Sequence, residues 1–199
     1  MNDEIKVDKT RRNLVVATSV VGGAASVGAA VPFVISMWPS ERAKAAGAPV
    51  EVDISKIAPG EMAVIEWRGK PVWVIHRTKE MIESLKVATA RLTDPESRAS
   101  KQPSYAKNEA RAQNPEWMVM EGVCTHLGCS PQLKTAEAKA EMGGDWAGGF
   151  YCPCHGSKFD YAGRVFRGAP APTNLTVPPY TFVSDAQLLI GEDKEKKGA

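Results

Sequence analysis

Two short stretches, Cys124-Thr125-His126-Leu127-Gly128-Cys129 and Cys152-Pro153-Cys154-His155-Gly156-Ser157, contain all four cysteines and two of the three histidines of this 199-residue chain. Such clustering indicates one site rather than a disulfide scaffold spread over a fold. The spacing lets two loops bring thiol and imidazole groups onto a single metal centre. A mixed set of this kind suits a tetrahedral zinc ion, and it also suits a two-iron cluster with two thiolate and two imidazole ligands. The two stretches therefore predict a metal centre held between two loops.

The sequence around these loops predicts a mainly β domain over residues 50–191. Short β-rich runs alternate with turn signals, and the tetrapeptide Arg68-Gly69-Lys70-Pro71 is typical of a hairpin. The runs lie at residues 50–54, 62–67, 72–75, 117–123, 150–151 and within 177–190. Several short strands separated by turns indicate a small antiparallel β-sandwich or barrel.

Three further segments of this domain have their own signals. Thr78 can cap a short helix that places Met81, Ile82 and Leu85 on one face. Residues 92–114 form a long polar stretch with two prolines and no periodicity, which predicts an insertion loop. His76, at a strand end, is expected to be an ordinary strand or surface histidine, and residues 192–199 form a polar, solvated tail.

The segment at residues 13–38 is predicted to be a transmembrane anchor helix. It contains no charged residue and exceeds the roughly 20 apolar residues that a bilayer core requires. Trp38 at its far end fits the aromatic belt of a membrane interface. Pro32 is compatible with a membrane helix when neighbouring groups satisfy the freed carbonyl.

The segments that flank the anchor suggest export and mobility. Arg11 and Arg12, within residues 1–12, resemble a twin-arginine export signal, although a plain positive-inside flank or a cleaved signal peptide would have similar features. With each of these interpretations, the positively charged end stays in the cytoplasm. Residues 39–49 are small and polar without an apolar face, which predicts a flexible hinge linker that could become helical because it is rich in alanine. The formal net charge of +2, with no basic stripe, argues against nucleic acid as a partner.

With their surroundings, the two loops resemble the Rieske protein family of cytochrome bc complexes, of the bacterial type. The similarity extends upstream through residues 117–123 and downstream through Asp160, Gly163-Arg164 and residues 169–175. The resemblance implies an N-terminal transmembrane helix followed by an antiparallel β-sandwich, with a small cluster-binding subdomain at about 122–175. It also implies one [2Fe–2S] cluster.

The resemblance also implies a role for each loop residue. Cys124 and Cys152 would bind one iron, and His126 and His155 the other. Cys129 and Cys154 would form a disulfide between the loops, a pair that soluble Rieske ferredoxins and oxygenases generally lack.

Six further residues would tune or cover the cluster by the same resemblance. The Ser157 hydroxyl would bond a cluster sulfide, whereas Phe159 stands where high-potential members usually have tyrosine, which predicts a lower potential. Leu127 would shield the tip beside Gly128. The segment Ala169-Pro170-Ala171-Pro172 would cover the cluster through its two prolines, Pro170 and Pro172.

The implied function is that of the electron-transfer subunit of a ubiquinol–cytochrome c reductase. His155 would accept a hydrogen bond from quinol bound in cytochrome b and take an electron with a proton. The domain would then swing on the 39–49 linker to the haem of cytochrome c1, which contributes to proton translocation. The family implies a dimeric complex in the bacterial inner membrane, with the N-terminus cytoplasmic and the cluster domain periplasmic.

Two alternatives remain open at this point. One is the Rieske small subunit of a periplasmic molybdenum oxidase such as arsenite oxidase, which can share the export signal and both loops. The predicted anchor and linker argue against this alternative, because such a subunit needs no swinging domain. The other is a structural zinc module, which gives Ser157 and the second cysteine pair no role.

Overall fold

The computed structural model describes residues 8–193 of the chain. The predictions made for residues 1–7 and 194–199, which are most of the cytoplasmic N-terminus and of the polar tail, lie outside these described residues. Backbone contacts divide the chain between Ala45 and Ala46 into a helical N-terminal unit and a larger β unit.

Helix α1 runs from Lys9 to Ser36 and is long and apolar enough, by length and composition, to cross a membrane. Its 28 residues give a length of about 42 Å. The carboxylate of Asp8 caps its start by accepting the backbone N–H groups of Thr10 and Arg11 at 2.9 and 3.2 Å. The helix therefore begins before the twin arginines, which lie within its first turns rather than in a preceding segment.

The predicted linker contains a second helix, α2, at Glu41–Ala46. The Ser40 hydroxyl accepts the backbone N–H of Ala43 at 3.2 Å, and Lys44 Nζ lies 2.6 Å from Glu41 Oε1. The alanine content and this ion pair one turn apart both favour a helix. A short helix with non-helical residues on either side therefore occupies part of the predicted linker, as its alanine content allows.

Within residues 46–193, the β unit contains nine strands in three antiparallel three-stranded sheets, which confirms the predicted fold class. The orders are β1-β9-β8, β2-β3-β4 and β5-β6-β7. The strands are β1 Val50–Asp53, β2 Met62–Trp67, β3 Lys70–His76, β4 Trp117–Glu121, β5 Gln132–Lys134, β6 Gly149–Tyr151, β7 Lys158–Phe159, β8 Tyr180–Ser184 and β9 Gln187–Ile190. Helix α3 covers Lys79–Ala88, and a single turn, α4, covers Lys139–Met142.

The predicted hairpin joins β2 to β3 through the two residues Arg68 and Gly69. Both have positive φ, 53° and 70°, as a two-residue type I′ turn requires. The predicted helix cap is also present, because the Thr78 hydroxyl accepts the backbone N–H of Met81 at 3.3 Å. Met81 and Leu85 are buried, and Ile82 is half-buried.

Strand β3 is buried on both of its faces and joins the two halves of the domain. Val72 and Val74 point into a core shared with β1, β8 and β9, where Val52, Leu188 and Ile190 lie. Trp73 and Ile75 point the other way, into a second core. That core contains Phe150 and Phe159 from the third sheet, and the Trp73 and Phe150 rings stack with centroids 4.8 Å apart.

The polar segment 92–114 contains no α-helix and no named strand, in agreement with the predicted loop, and it is packed into the domain. Arg111 is fully buried, and its guanidinium donates to the carbonyl of Ala162 at 3.1 Å and to the side chain of Gln102 at 2.9 Å. Asn174 donates to the carbonyl of Asp94 and to the hydroxyl of Ser97, both at 2.8 Å. Polar side chains of this segment are therefore buried through bonds to distant backbone, which composition alone does not reveal.

Candidate metal centre

The two cysteine-containing loops share one backbone conformation. In the first, the N–H of Cys124 donates to the Cys129 carbonyl at 2.8 Å, and the N–H of Gly128 donates to the Cys124 carbonyl at 3.0 Å. In the second, Cys152 donates to Ser157 at 2.8 Å and Gly156 donates to Cys152 at 2.9 Å. The sequence folds this way locally because a glycine stands four residues after each leading cysteine, and both glycines have positive φ, 85° and 78°.

Strands on either side fix where these loops emerge. The first loop follows β4, and the N–H of Gly122 donates to the Pro71 carbonyl at 2.7 Å. A Cβ at Gly122 would collide with the indole of Trp73, so only glycine allows this approach. The second loop connects β6 to β7, which are paired through Phe150 and Phe159. Both loops thus leave elements that pack on the same core.

The four cysteines divide into a bonded pair and a free pair. Cys129 and Cys154 form a disulfide that joins the two loops. Cys124 and Cys152 are free and buried, and the Cys152 sulfur lies within 4.8 Å of both disulfide sulfurs. Burial raises the pKa of the Cys124 thiol, as does the neighbouring Cys152, while the backbone N–H of His126 opposes this shift. The free thiols are therefore close together in a water-poor environment.

The two histidines face each other nearer the surface. The rings of His126 and His155 have centroids 4.7 Å apart and planes at 89°. His126 is half-buried, whereas His155 is exposed. Leu127 beside them is 71% exposed, as is expected for an apolar residue at a contact surface rather than in a core.

This donor set fits a Rieske-type [2Fe–2S] cluster. With two sulfurs engaged in the disulfide, the loops retain two buried thiols and two imidazoles. A histidine-ligated cluster needs two thiolates on one iron and two imidazoles on the other. Here the thiols lie together on the inner side and the imidazoles together on the outer side, which matches that division.

Residues 169–173, called the proline segment here, are hydrogen-bonded to both loops. The Ser157 hydroxyl accepts the backbone N–H of Ala171 at 3.1 Å, and the Thr125 hydroxyl donates to the carbonyl of Thr173 at 2.6 Å. Ala171 is buried, whereas Pro170 and Pro172 are exposed. The segment therefore lies against the two loops, and the covering role of the two prolines stays a prediction.

Neither aromatic residue after Ser157 supplies a hydroxyl to the site. Phe159 is fully buried and has no hydroxyl. Tyr161 packs instead with Met81 and Leu85, and its hydroxyl lies against Gly148. The part of the site that a tyrosine hydroxyl at position 159 would reach is therefore apolar.

A buried charged cluster beneath the second loop was missed by sequence reasoning. Arg164 Nε lies 2.7 Å from Asp160 Oδ2, and both side chains are almost completely buried. Arg77 and Arg111 donate to the carbonyls of Tyr161 and Ala162 beside this pair. Burial lowers the pKa of each of these two guanidinium groups to about 10, and the charge of Asp160 opposes the shift. Nothing in the local pattern around Arg77 or Arg111 signals burial.

Two family models match separate parts of the chain. Residues 100–180 match the family described as "Rieske [2Fe-2S] domain". Residues 1–40 match the family described as "Ubiquitinol-cytochrome C reductase Fe-S subunit TAT signal". The second match covers the twin-arginine sequence and supports its interpretation as an export signal.

Curated relatives cover nearly the whole chain. The ubiquinol-cytochrome c reductase iron-sulfur subunit of Allochromatium vinosum is 54% identical over 189 residues, which are 94% of this chain and 91% of the relative. Its counterpart in Bradyrhizobium diazoefficiens is 45% identical and covers 92% and 94%. A solved chain from "Hyperthermophilic respiratory Complex III" is 28% identical with a TM-score of 0.47, covering 87% and 98%. The chain therefore belongs to the family of ubiquinol–cytochrome c reductase iron–sulfur subunits, Rieske [2Fe–2S] proteins of an oxidoreductase complex.

Proposed function

We propose that this chain carries single electrons from ubiquinol, bound in a cytochrome b subunit, to the haem of a cytochrome c1 subunit. The observation that carries the proposal is the arrangement of the four free donors. His126 and His155 face each other 4.7 Å apart at the outer side of the site, while the free thiols of Cys124 and Cys152 are buried behind them. Such a site presents imidazole, and no thiolate, to a partner.

In this proposal Cys124 and Cys152 hold one iron, and His126 and His155 hold the other. A [2Fe–2S] cluster with these ligands supplies one-electron oxidation and reduction at a potential well above that of a four-thiolate cluster. The Cys129–Cys154 disulfide keeps the two loops in register, because it crosses directly between them. The proline segment, bonded to Ser157 and Thr125, excludes water from one side.

His155 is the residue through which quinol is recognised in this proposal. Its ring is exposed, so a nitrogen that does not bind metal can accept a hydrogen bond from a quinol hydroxyl and hold the released proton. Leu127 is exposed beside it and is suited to line an apolar quinone pocket. With the cluster bound, His155 would be both a metal ligand and the acceptor of the quinol proton, which would couple the release of electron and proton.

The remaining elements tether the site in this proposal. Helix α1 anchors the chain in the bacterial inner membrane with its arginine-bearing end in the cytoplasm, and the β unit lies in the periplasm. Residues 39–49 let the β unit travel between quinol and haem. The complex is a dimer. The named relatives favour this role over that of a molybdenum oxidase subunit.

The test uses the complex purified from membranes. Ascorbate-reduced samples are expected to show the rhombic EPR signal of a histidine-ligated cluster. Separate samples without ascorbate are expected to reduce cytochrome c when ubiquinol is added. The midpoint potential is expected to fall with pH in the alkaline range, because oxidation then releases protons from the two imidazoles. An EPR-silent protein, or a midpoint constant through that range, would contradict the proposal. Replacing His155 by Cys retains a metal-binding side chain. A cluster that forms but releases one proton fewer on oxidation in the alkaline range would support the proposal.

A further inference from the structure

The end of the linker that enters the β unit is held by one tryptophan. Trp67 is the last residue of β2 and is 5% exposed. Its indole Nε1 donates to the carbonyl of Ala48 at 3.1 Å. Ala48 stands two residues before β1 begins at Val50. The chain is thus fixed to the domain before the first strand pairs with its neighbour.

The residues around Trp67 hold its indole in the orientation that makes this bond. Gly191 follows β9 with φ of +108°, and a Cβ there would lie 2.8 Å from Trp67 Nε1 and 3.1 Å from the Cα of Pro49. The guanidinium of Arg68 lies over the indole at 4.4 Å from the ring centroid. The ring is therefore confined on several sides, and its N–H is directed at the incoming chain.

The position of the acceptor, the Ala48 carbonyl, is as informative as that of the Trp67 indole. A buried indole N–H needs some partner, and a carbonyl within the sheet would serve that need equally well. The carbonyl that accepts the bond belongs instead to Ala48, within the predicted linker. The next residue, Pro49, has no N–H with which to join a ladder. The indole bond therefore fixes a stretch of chain that the sheet itself does not begin to hold until Val50.

We propose that Trp67 is a positioning residue that sets the domain end of the tether, so that the freely moving segment ends at residue 47 rather than 49. This inference rests on the proposed function, in which the β unit travels between two redox partners. Each freed residue adds up to about 3.5 Å of reach, so releasing Ala48 and Pro49 would add roughly 7 Å. A longer tether lowers the effective concentration of the domain at each partner.

The test replaces Trp67 by Phe in the intact complex, which removes the N–H and retains an aromatic ring. Trp146→Phe is the matched control. Trp146 is 4% exposed, and its Nε1 donates to the carbonyl of Thr135, also at 3.1 Å, without contact with the linker. Hydrogen exchange at the amides of residues 46–48 and of Val50 is expected to quicken about fivefold in Trp67→Phe, as for loss of one net hydrogen bond, and not in the control.

Turnover supplies a second readout. Ubiquinol-dependent cytochrome c reduction is expected to fall about two- to fivefold in Trp67→Phe, with an unchanged cluster EPR signal and midpoint potential. Deleting Ala45 and Ala46 in the same variant is expected to recover most of that loss. Wild-type exchange at residues 46–48 and Val50, or equal changes in both variants, would overturn the proposal. If the wild-type complex does not oxidise quinol, the proposed function fails, but the exchange experiment still decides whether Trp67 fixes the tether.

Discussion

The hydroxyl of Ser157 bonds to the backbone N–H of Ala171 at 3.1 Å and so joins the second ligand loop to the proline segment. The hydroxyl oxygen accepts this bond, which leaves its own hydrogen to be donated. The same hydroxyl is near the Cys124 thiol, where it opposes the rise in the pKa of that thiol that burial causes. The fully buried Ser157 side chain therefore holds the proline segment and also lies near a proposed iron ligand.

Ser157→Ala is expected to lower the midpoint potential of the cluster. The hydroxyl stabilises negative charge on nearby sulfur, and reduction adds negative charge. A hydrogen bond to a charged group contributes about 1.5–3 kcal/mol, which corresponds to a decrease of roughly 65–130 mV for one electron. The measurement is an EPR-monitored redox titration of the purified complex. Ser130→Ala, at an exposed serine just after the first loop, is the control. An unchanged midpoint in Ser157→Ala would contradict the role given to the hydroxyl.

Phe159→Tyr is expected to change the potential in the opposite direction. Phe159 is fully buried beside the second loop, and a hydroxyl there would donate to a sulfur in a place that is now apolar. One neutral hydrogen bond of about 0.5–1.5 kcal/mol would raise the midpoint by roughly 20–65 mV. The same titration measures it, with Phe166→Tyr as a half-buried control whose ring lies beside Trp146. A midpoint that stays constant or falls would show that Phe159 does not explain a lower potential.

Removal of the Cys129–Cys154 disulfide is expected to destabilise the site. The bond closes a loop with a sequence separation of 25 residues, for which chain-entropy arguments give about 3.5 kcal/mol. A double replacement by alanine should therefore lose cluster absorbance at a temperature several degrees lower than wild type. Reduction of the wild-type protein with a thiol reagent should have the same effect. Identical melting of variant and wild type would mean that the disulfide does not support the cluster.

Asp160→Asn is expected to destabilise the whole β unit. Asp160 is the carboxylate paired with Arg164 at 2.7 Å, and the positive charges of Arg77 and Arg111 also lie near it. Removing one partner of a buried pair leaves uncompensated charge and costs about 3–5 kcal/mol. Asp145→Asn breaks an exposed pair with Arg91 and should cost less than about 1 kcal/mol. Denaturant unfolding followed by circular dichroism measures both, and equal losses would refute the argument from burial.

Local patterns predicted the parts of the fold that short-range chemistry controls. The turn at Arg68 and Gly69 needs positive φ, and the cap at Thr78 needs a hydroxyl, so the residue types themselves indicated both structures. The loop residues Cys124 to Cys129 and Cys152 to Ser157 were found because their spacing is unusual. The antiparallel sandwich followed from the number of short strands.

Long-range partners account for what the sequence did not reveal. Arg111 is buried because its guanidinium meets the carbonyl of Ala162, which is 51 residues away. Trp67 bonds to Ala48, which only the fold places beside it. The short strand β5 was not predicted, because its three residues have no periodic pattern apart from their pairing with β6. In each case the signal lies in a contact between distant residues rather than in the local sequence.

The two-sided burial of β3 limits how far this protein can be shortened. Trp73 and Ile75 form the surface on which Phe150, Phe159 and the ligand loops pack, while Val72 and Val74 belong to the opposite core. A fragment containing only residues 122–175 would keep every proposed ligand yet expose the aromatic side chains that rest on Trp73. A minimal electron carrier derived from this chain must therefore retain the sheet β2-β3-β4 as its foundation, although none of the three strands contains a proposed ligand.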